Sequence, residues 1–219
     1  MDSTLQLVLS EAVGAPSVLA ESNVVVAVDL DALVTIIHVL SEASAPFSAT
    51  SSAPGRARKP ASDEVVISLE RMTALEPHPG ALTLRAEPGA TVAALRSAGE
   101  RAGLAVVGLP AKTQAEHVGA LLARGEVPRR SLCGIEAVLS NGDLVKTAVG
   151  VLKDVVGYDL PALLLGSMGG LAVIVAATFR LEAARAHTPV QPAPGIASGL
   201  AGSAIAGAFD PQGLLRARN

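Results

Sequence analysis

Residues 151–181, VLKDVVGYDLPALLLGSMGGLAVIVAATFRL, decide between two readings of this chain. Residues 160–179 carry no charge for twenty positions, the length a helix needs to span a bilayer. Pro161 and the cluster Gly166, Ser167, Gly169 and Gly170 interrupt that run, and no aromatic belt flanks it. Turn chemistry in mid-run predicts a short helix and then a buried strand, not a membrane span. Asp159 precedes the helix over 160–165, Pro161 occupies its first turn, and Gly166 stands just past its end. Residues 171–181 form the strand.

Upstream, residues 4–13 read as a short amphipathic helix and 24–28 (VVVAV) as a β-branched buried strand. Asp31 is placed to cap a helix over 32–43 whose apolar face is Leu33, Ile36, Ile37 and Leu40. Residues 46–49 return as a strand, and a strand–helix–strand unit implies parallel pairing. Residues 50–63, rich in Ser, Ala, Pro and charge, read as a loop before another apolar strand at 65–69. Alternation over 81–87 gives a strand with one wet face. Pro88-Gly89 turns the chain, Thr91 caps a helix to about Arg101, and 104–107 is short and apolar. Residues 114–123 are helical in pattern, broken at Gly119 and ended by Gly125. Asn141-Gly142 joins strands at 135–140 and 144–149, a strong hairpin signal. Residues 183–219 form a tail of Ala, Gly and Pro, expected to be mobile or loosely attached. The order is a βαβ lobe followed by mainly antiparallel strands with helices, an α+β plan.

Composition removes several classes of function. Half of the 219 residues are apolar, yet there is no Trp, one Tyr and three Phe, so no aromatic platform for stacking bases can be built. The net charge of −3 and the lack of a basic stripe argue against nucleic acid. Cys133 is the single cysteine, which rules out an intramolecular disulfide; together with the lack of a charged-then-apolar leader it implies a cytoplasmic protein. Cys133 reads as a small buried hydrophobe. The four histidines show no HxH or HxxxH spacing, so no metal site is expected. Gly166-Ser167-Met168-Gly169 departs from the G-x-S-x-G nucleophile elbow.

One resemblance gives the chain a chemistry. Lys153, Gly157-Tyr158-Asp159-Leu160, Gly166-Ser167, Gly169 and Leu171 follow the order of the closing segment of the PCMH-type FAD-binding domain. The chain resembles the FAD-linked oxidases, most closely the FAD-binding subunits of glycolate oxidases, over about residues 23–181. The resemblance implies a two-lobe PCMH-type fold over 23–182, with lobes of about 23–75 and 76–182, between an N-terminal extension (1–22) and the tail (183–219).

It also implies a non-covalent FAD, since the loop over 50–63 has no histidine for a flavin link. That loop, which in the family wraps the pyrophosphate, ends at a matching Ser68-Leu69-Glu70-Arg71-Met72. By the same resemblance Thr50, Ser51, Ser52 and Ala53 hold the pyrophosphate, and Pro110, His117, Val118 and Gly119 lie near the pyrophosphate and flavin ring. Gly157, Gly166, Ser167, Gly169 and the backbone to Ile174 border the adenine and ribose.

The chain departs from the family in three places. Ser51, Ser52 and Ala53 replace glycines, and each residue forced into a left-handed conformation costs about 1–2 kcal/mol. Three such residues cost about 3–6 kcal/mol, against about 8–12 kcal/mol for micromolar to nanomolar binding. His117 and Ala120 stand where the family has a Thr and a second Gly. A Tyr-Gly and Arg-Asp stretch expected after Arg130 is missing, because Ser131-Leu132 runs straight into Cys133.

The implied activity is oxidation of a small 2-hydroxy acid by an FAD-binding subunit. A second flavin subunit and an iron–sulfur subunit are the implied partners, in the cytoplasm or peripheral at the inner membrane through those partners. The chain has little room after residue 181 for a full substrate or cap domain, and no residue is marked as a catalytic base. The alternative is a degenerate, non-catalytic scaffold subunit with weak or no FAD binding.

Overall fold

A computed structural model describes residues 3–14, 18–19, 23–52, 61, 63–113, 115–147, 159–184 and 203–217. The first lobe contains α1 (Ser3–Val13), β1 (Val18–Leu19), β2 (Val24–Val26), α2 (Leu30–Glu42), β3 (Phe47–Thr50) and β4 (Val65–Ser68). Its sheet runs β1-β2-β4-β3, with β2 and β3 each parallel to β4 and β1 antiparallel to β2. The strand–helix–strand unit is thus parallel as expected, but β4 lies between its two strands. A helix is about 10–12 Å wide and strands are spaced about 4.8 Å apart, so a helix lying on the sheet leaves room for one strand beneath its crossover.

The apolar stripe of α2 is Leu33, Ile36, Ile37 and Leu40, all buried. Its cap is Asp29 rather than Asp31: Asp29 is extended and its carboxylate accepts the Ala32 N–H at 2.8 Å. Asp31 falls within the first turn, where its charge favours the positive end of the helix dipole.

The second lobe contains β5 (Leu75–His78), β6 (Thr83–Ala86), α3 (Val92–Arg101), β7 (Leu104–Val106), α4 (Val118–Ala123), β8 (Leu132–Val138), β9 (Leu144–Lys146), α5 (Leu160–Leu164) and β10 (Val173–Ala183). Its antiparallel sheet runs β5-β6-β10-β8-β9, and β7 pairs with the last residues of β10. The expected membrane-length run is therefore a five-residue helix, a turn and the central strand of this sheet. Among the described residues no helix is long and apolar enough to cross a membrane. Thr91 caps α3 as the sequence indicates, its hydroxyl accepting the Ala94 N–H at 3.0 Å.

Strand β10 feeds two cores. Leu171 in the turn before it, with Ile174, Ala177 and Phe179, packs into the larger lobe beside Leu95, Leu121 and Leu122. Val173 and Val175, with Val138 of β8, pack instead with Leu9, Val25, Ile37 and Phe47 of the smaller lobe. The register of β10 against β8 shifts between Ile174 and Ala176, and this bulge helps to re-aim side chains.

The tail corrects an expectation. Its α6 (Ser203–Phe209) sets Ile205, Ala206 and Phe209 against the larger core, while Leu214 and Leu215 are buried in the smaller one. Phe47 donates its N–H to Leu214 O and accepts from the Arg216 N–H, both at 2.8 Å, so the segment extends the sheet beyond β3. The buried Asp210 carboxylate accepts the N–H groups of Leu214 and Leu215 at 3.0 and 2.8 Å. Five well-placed apolar side chains suffice for docking, and the Ala/Gly/Pro average of the tail conceals them.

Candidate functional site

Four segments converge where the two lobes meet. The end of β3 delivers Thr50, Ser51 and Ser52, and the end of β4 delivers Leu69 to Met72; Leu69 donates its N–H to Thr50 O at 2.7 Å. The Pro88–Ala90 turn follows β6 and is locked to the second segment by the Gly89 N–H, which donates to Met72 O at 2.8 Å. A Cβ on Gly89 would lie 2.7 Å from Glu70 O, 2.8 Å from Met72 O, and closer still to Leu69 O. The start of α4 is the fourth segment. Its Val118 N–H donates to Ala90 O at 2.8 Å and its Gly119 N–H to Pro88 O at 2.9 Å.

Gly119 closes the junction. A Cβ there would meet Ser51 Cβ at 2.8 Å, Pro88 Cβ at 2.9 Å and Ser51 Oγ at 3.0 Å. Only a residue without a side chain lets the loop after β3 approach α4 so closely. The carboxyl ends of parallel strands in an open sheet are where ligands bind in α/β folds, and Thr50 to Ser52 lie at such an end.

The structure brings together Thr50, Ser51, Ser52, His117, Val118 and Gly119. Neither Ser51 nor Ser52 is left-handed: among the described non-glycine residues only Asn23, Ser44, Leu82 and Met168 have φ between 49° and 55°. The strain cost expected of these two serines is therefore not incurred. Instead Thr50 Oγ1 lies 3.1 Å from Ser52 Oγ and accepts the Ser52 N–H at 3.4 Å, a compact hydroxyl turn. His117 takes the N-cap position of α4 in extended conformation without a capping side-chain bond, and pairs with Thr91 in an isolated bridge. Pro110 stands apart from this group; it is buried, with its carbonyl accepting from Arg96 Nη2 at 3.1 Å. Ala53 lies outside the described residues.

Gly166, Ser167 and Gly169 gather at the other end of α4, about 9 Å away along six residues of helix. The Gly166 N–H donates to Leu122 O at 3.0 Å and the Met168 N–H to Ala123 O at 3.1 Å, so these amides finish the helix. The left-handed residue that ends α4 is Gly125, whose N–H donates to Leu122 O at 3.0 Å, while Gly166, Met168 and Gly169 are left-handed in the packed turn beside it. Ser167 Oγ is buried without a hydrogen-bond partner among the described residues. Ile174 is paired with Ala137 inside the sheet, and its side chain is in the larger core. Lys153, Gly157 and Tyr158 lie outside the described residues.

On the open face of the larger sheet is a charged cluster that the sequence did not flag. Arg85 grips Glu136 across β10, Nε to Oε1 at 2.6 Å and Nη2 to Oε2 at 3.3 Å, and Lys146 Nζ reaches Oε2 at 3.2 Å. Arg85 Nη1 also meets Glu76 Oε1 at 3.0 Å. Burial pushes the Glu136 carboxyl up, but the Arg85 and Lys146 hydrogen bonds and charges outweigh it and hold the group below the usual carboxylate range. Burial raises the Cys133 thiol against the opposing charges of Arg180 and Arg129, though the residue is half-buried rather than buried as expected. Among the described residues no group of three or more His, Cys, Asp or Glu could hold a metal.

A small parallel sheet and a larger antiparallel one, joined at strand ends that carry hydroxyls and a side-chain-free helix start, define the two-lobe PCMH type of nucleotide-binding protein. The family described as "FAD binding domain" matches residues 22–148, more than half of the chain. The chain belongs to that family, and FAD is the cofactor this membership assigns to it.

The mitochondrial D-lactate dehydrogenase [cytochrome] of Arabidopsis thaliana is 42% identical over 72 residues, 33% of this chain and 13% of that protein. Glycolate oxidase subunit GlcD of Bacillus subtilis is 44% identical over 55 residues, 25% of this chain and 12% of the relative. The D-lactate dehydrogenase of Archaeoglobus fulgidus is 35% identical over 132 residues, 56% of this chain and 29% of the relative. The chain thus spans less than a third of the length of each of these relatives. Among solved structures, 4-ethylphenol oxidase from Gulosibacter chungangensis has a similar fold, with TM-score 0.66 and 17% identity over 83% of this chain and 42% of that one.

The residues at the lobe junction fit the phosphate part of this cofactor. Gly119 lets Ser51 and Pro88 pack against the start of α4, and Thr50, Ser51 and Ser52 place three hydroxyls at the strand ends. Hydroxyl donors at that position suit a diphosphate, while the Val118 and Gly119 amides already donate to Ala90 O and Pro88 O.

Proposed function

We propose that this chain is the FAD-binding part of an FAD-linked oxidoreductase that oxidises a small 2-hydroxy acid together with partner subunits. The observation that carries the reading is the contact of Gly119 with Ser51 at the lobe junction, within the stretch that matches the FAD-binding family. The D-lactate dehydrogenases, the glycolate oxidase subunit and a D-2-hydroxyglutarate dehydrogenase among the relatives support the substrate class. GlcD is by its name a subunit, which supports a hetero-oligomer; a second flavin subunit and an iron–sulfur subunit complete the proposal. The FAD-binding unit is assigned to residues 23–182, in a cytoplasmic protein.

Thr50, Ser51 and Ser52 would hold the pyrophosphate through hydroxyls, and Gly119 would let the strand end that carries them pack against the start of α4. His117, at the N-cap of α4, and Pro110 would flank the route toward the ring. Ser167, with its buried hydroxyl, would serve the adenosine half at the far end of α4, with Gly166 and Gly169 shaping the turn. When bound, the flavin supplies acceptance of hydride from the substrate and onward transfer of electrons. The protein's part is binding, orientation and exclusion of water, and no residue is proposed as a catalytic base.

A second reading, a scaffold subunit that binds FAD weakly or not at all, is favoured by a specific observation. The Gly166 and Met168 amides are committed to Leu122 O and Ala123 O, which removes two donors from any ligand there. Purified protein separates the readings. Yellow protein that releases FAD on boiling, or colourless protein that takes up added FAD with micromolar or tighter affinity, supports the first. Protein that stays colourless in excess FAD overturns it.

A further inference from the structure

We propose that Glu64 is a positioning residue for the FAD pyrophosphate, acting through the end of β3 that carries the hydroxyl turn; this rests on the FAD-binding reading above. Glu64 stands immediately before β4 and is 2% exposed. Its Oε1 accepts from the hydroxyl of Ser48 on β3 at 2.5 Å, and Ser48 is itself fully buried. Its Oε2 accepts the Ala61 N–H at 3.1 Å, and its own N–H donates to Ala61 O at 3.1 Å.

One carboxylate therefore ties the strand that launches the hydroxyl turn to the point where the chain comes back. Ser48 is two residues before Thr50 and three before Ser51 on the same strand. Ala61 lies three residues before Glu64, ahead of β4. A buried carboxylate is tolerated only when its oxygens are hydrogen-bonded, so its geometry is fixed by these partners and fixes them in turn. A strand end held in place before ligand arrives loses less freedom on binding. In a loop whose glycines are replaced by Ser51 and Ser52, such a device sets where the hydroxyls point.

The test uses the full chain with FAD and with ADP, which shares the pyrophosphate but lacks the ring. Glu64→Ala is expected to weaken FAD and ADP in parallel, about tenfold each. Ser48→Ala is expected to weaken both by a smaller factor, and the double variant no more than Glu64→Ala alone, since both act through one link. Glu64→Gln, which keeps the shape and one acceptor, should recover part of the loss. Far-UV circular dichroism and melting of the apo proteins establish that each variant is folded. Asn141→Ala, in the distant β8–β9 turn, should lower the melting temperature without changing either affinity.

FAD binding by Glu64→Ala within twofold of wild type overturns the positioning role alone. Weakened FAD with unchanged ADP moves the effect off the pyrophosphate and also overturns it. A wild-type protein that binds neither ligand overturns the FAD reading and this role together, an outcome visible before any variant is made.

Discussion

Two loops at the ends of α4 divide their work against their composition. The 166–170 loop has three glycines and looks made for a ligand, yet its Gly166 and Met168 amides bond the last carbonyls of a helix and its left-handed residues shape a structural turn. The Thr50–Ser52 turn has no glycine, yet it sits at the carboxyl ends of parallel strands with its hydroxyls clustered and its backbone unstrained. Glycine marks where a backbone must bend or be approached, and both demands arise in plain structural turns as well as around phosphates. The glycines that decide the lobe junction, Gly89 and Gly119, are isolated ones.

The sharpest break in this contrast is Gly89→Ala. The new methyl would meet three backbone carbonyl oxygens, which cannot swing aside as side chains can. Destabilisation of about 3 kcal/mol or more is expected in urea unfolding, at the severe end of overpacking. Gly119→Ala should cost about 1–3 kcal/mol, because the methyl would press on Ser51 Cβ and Pro88 Cβ, which move only with their backbone, and it should reduce FAD uptake at least tenfold. If Gly119→Ala keeps full affinity while Ser167→Ala abolishes it, the ligand-binding roles of the two loops are exchanged.

The charged cluster gives a control away from both loops. Glu136→Gln should lose about 1–2 kcal/mol at neutral pH, the worth of charged hydrogen bonds partly screened by solvent. The folded carboxyl titrates below its unfolded value. Its contribution is therefore complete above the ordinary carboxylate range, about pH 4.3, and is lost as pH falls through the lowered folded value. Denaturation curves from pH 7 to 3 should show wild type and variant converging at the acid end. Convergence on the alkaline side would contradict the sign.

The smallest effect is a gain. Met168 is left-handed, a conformation costing about 1–2 kcal/mol for a residue with a Cβ. Met168→Gly should stabilise by about 0.5–1 kcal/mol after the extra freedom of the unfolded chain is subtracted, read as a higher melting temperature with unchanged FAD affinity.

The sequence was clearest where one local signal met no competition. Thr91 ahead of an apolar-periodic run caps α3, and Asn141-Gly142 turns the β8–β9 hairpin. The apolar stripe of α2 was legible, while its cap was misplaced by two residues because Asp29 and Asp31 offer the same chemistry and only backbone geometry chooses. Strand β5 was missed: Leu75–His78 contains Pro77 and lies mostly exposed at a sheet edge, where no alternating pattern is required. The insertion of β4 between β2 and β3 could not be read, since strand order is a long-range property. At the site, the hydroxyl turn and Gly119 were visible through the family resemblance. The Gly89 clamp and the Glu64 link were not, because each depends on a partner distant in sequence and close only after folding.

Strand β10 has a consequence for cooperativity. Its alternate side chains anchor in different cores, so neither lobe can melt while leaving the other its central support. Calorimetry should record one endotherm rather than two, with calorimetric and van't Hoff enthalpies in agreement. Any hinge between the lobes has to flex this strand, and its register shift beside Ile174 is the natural place for the bend.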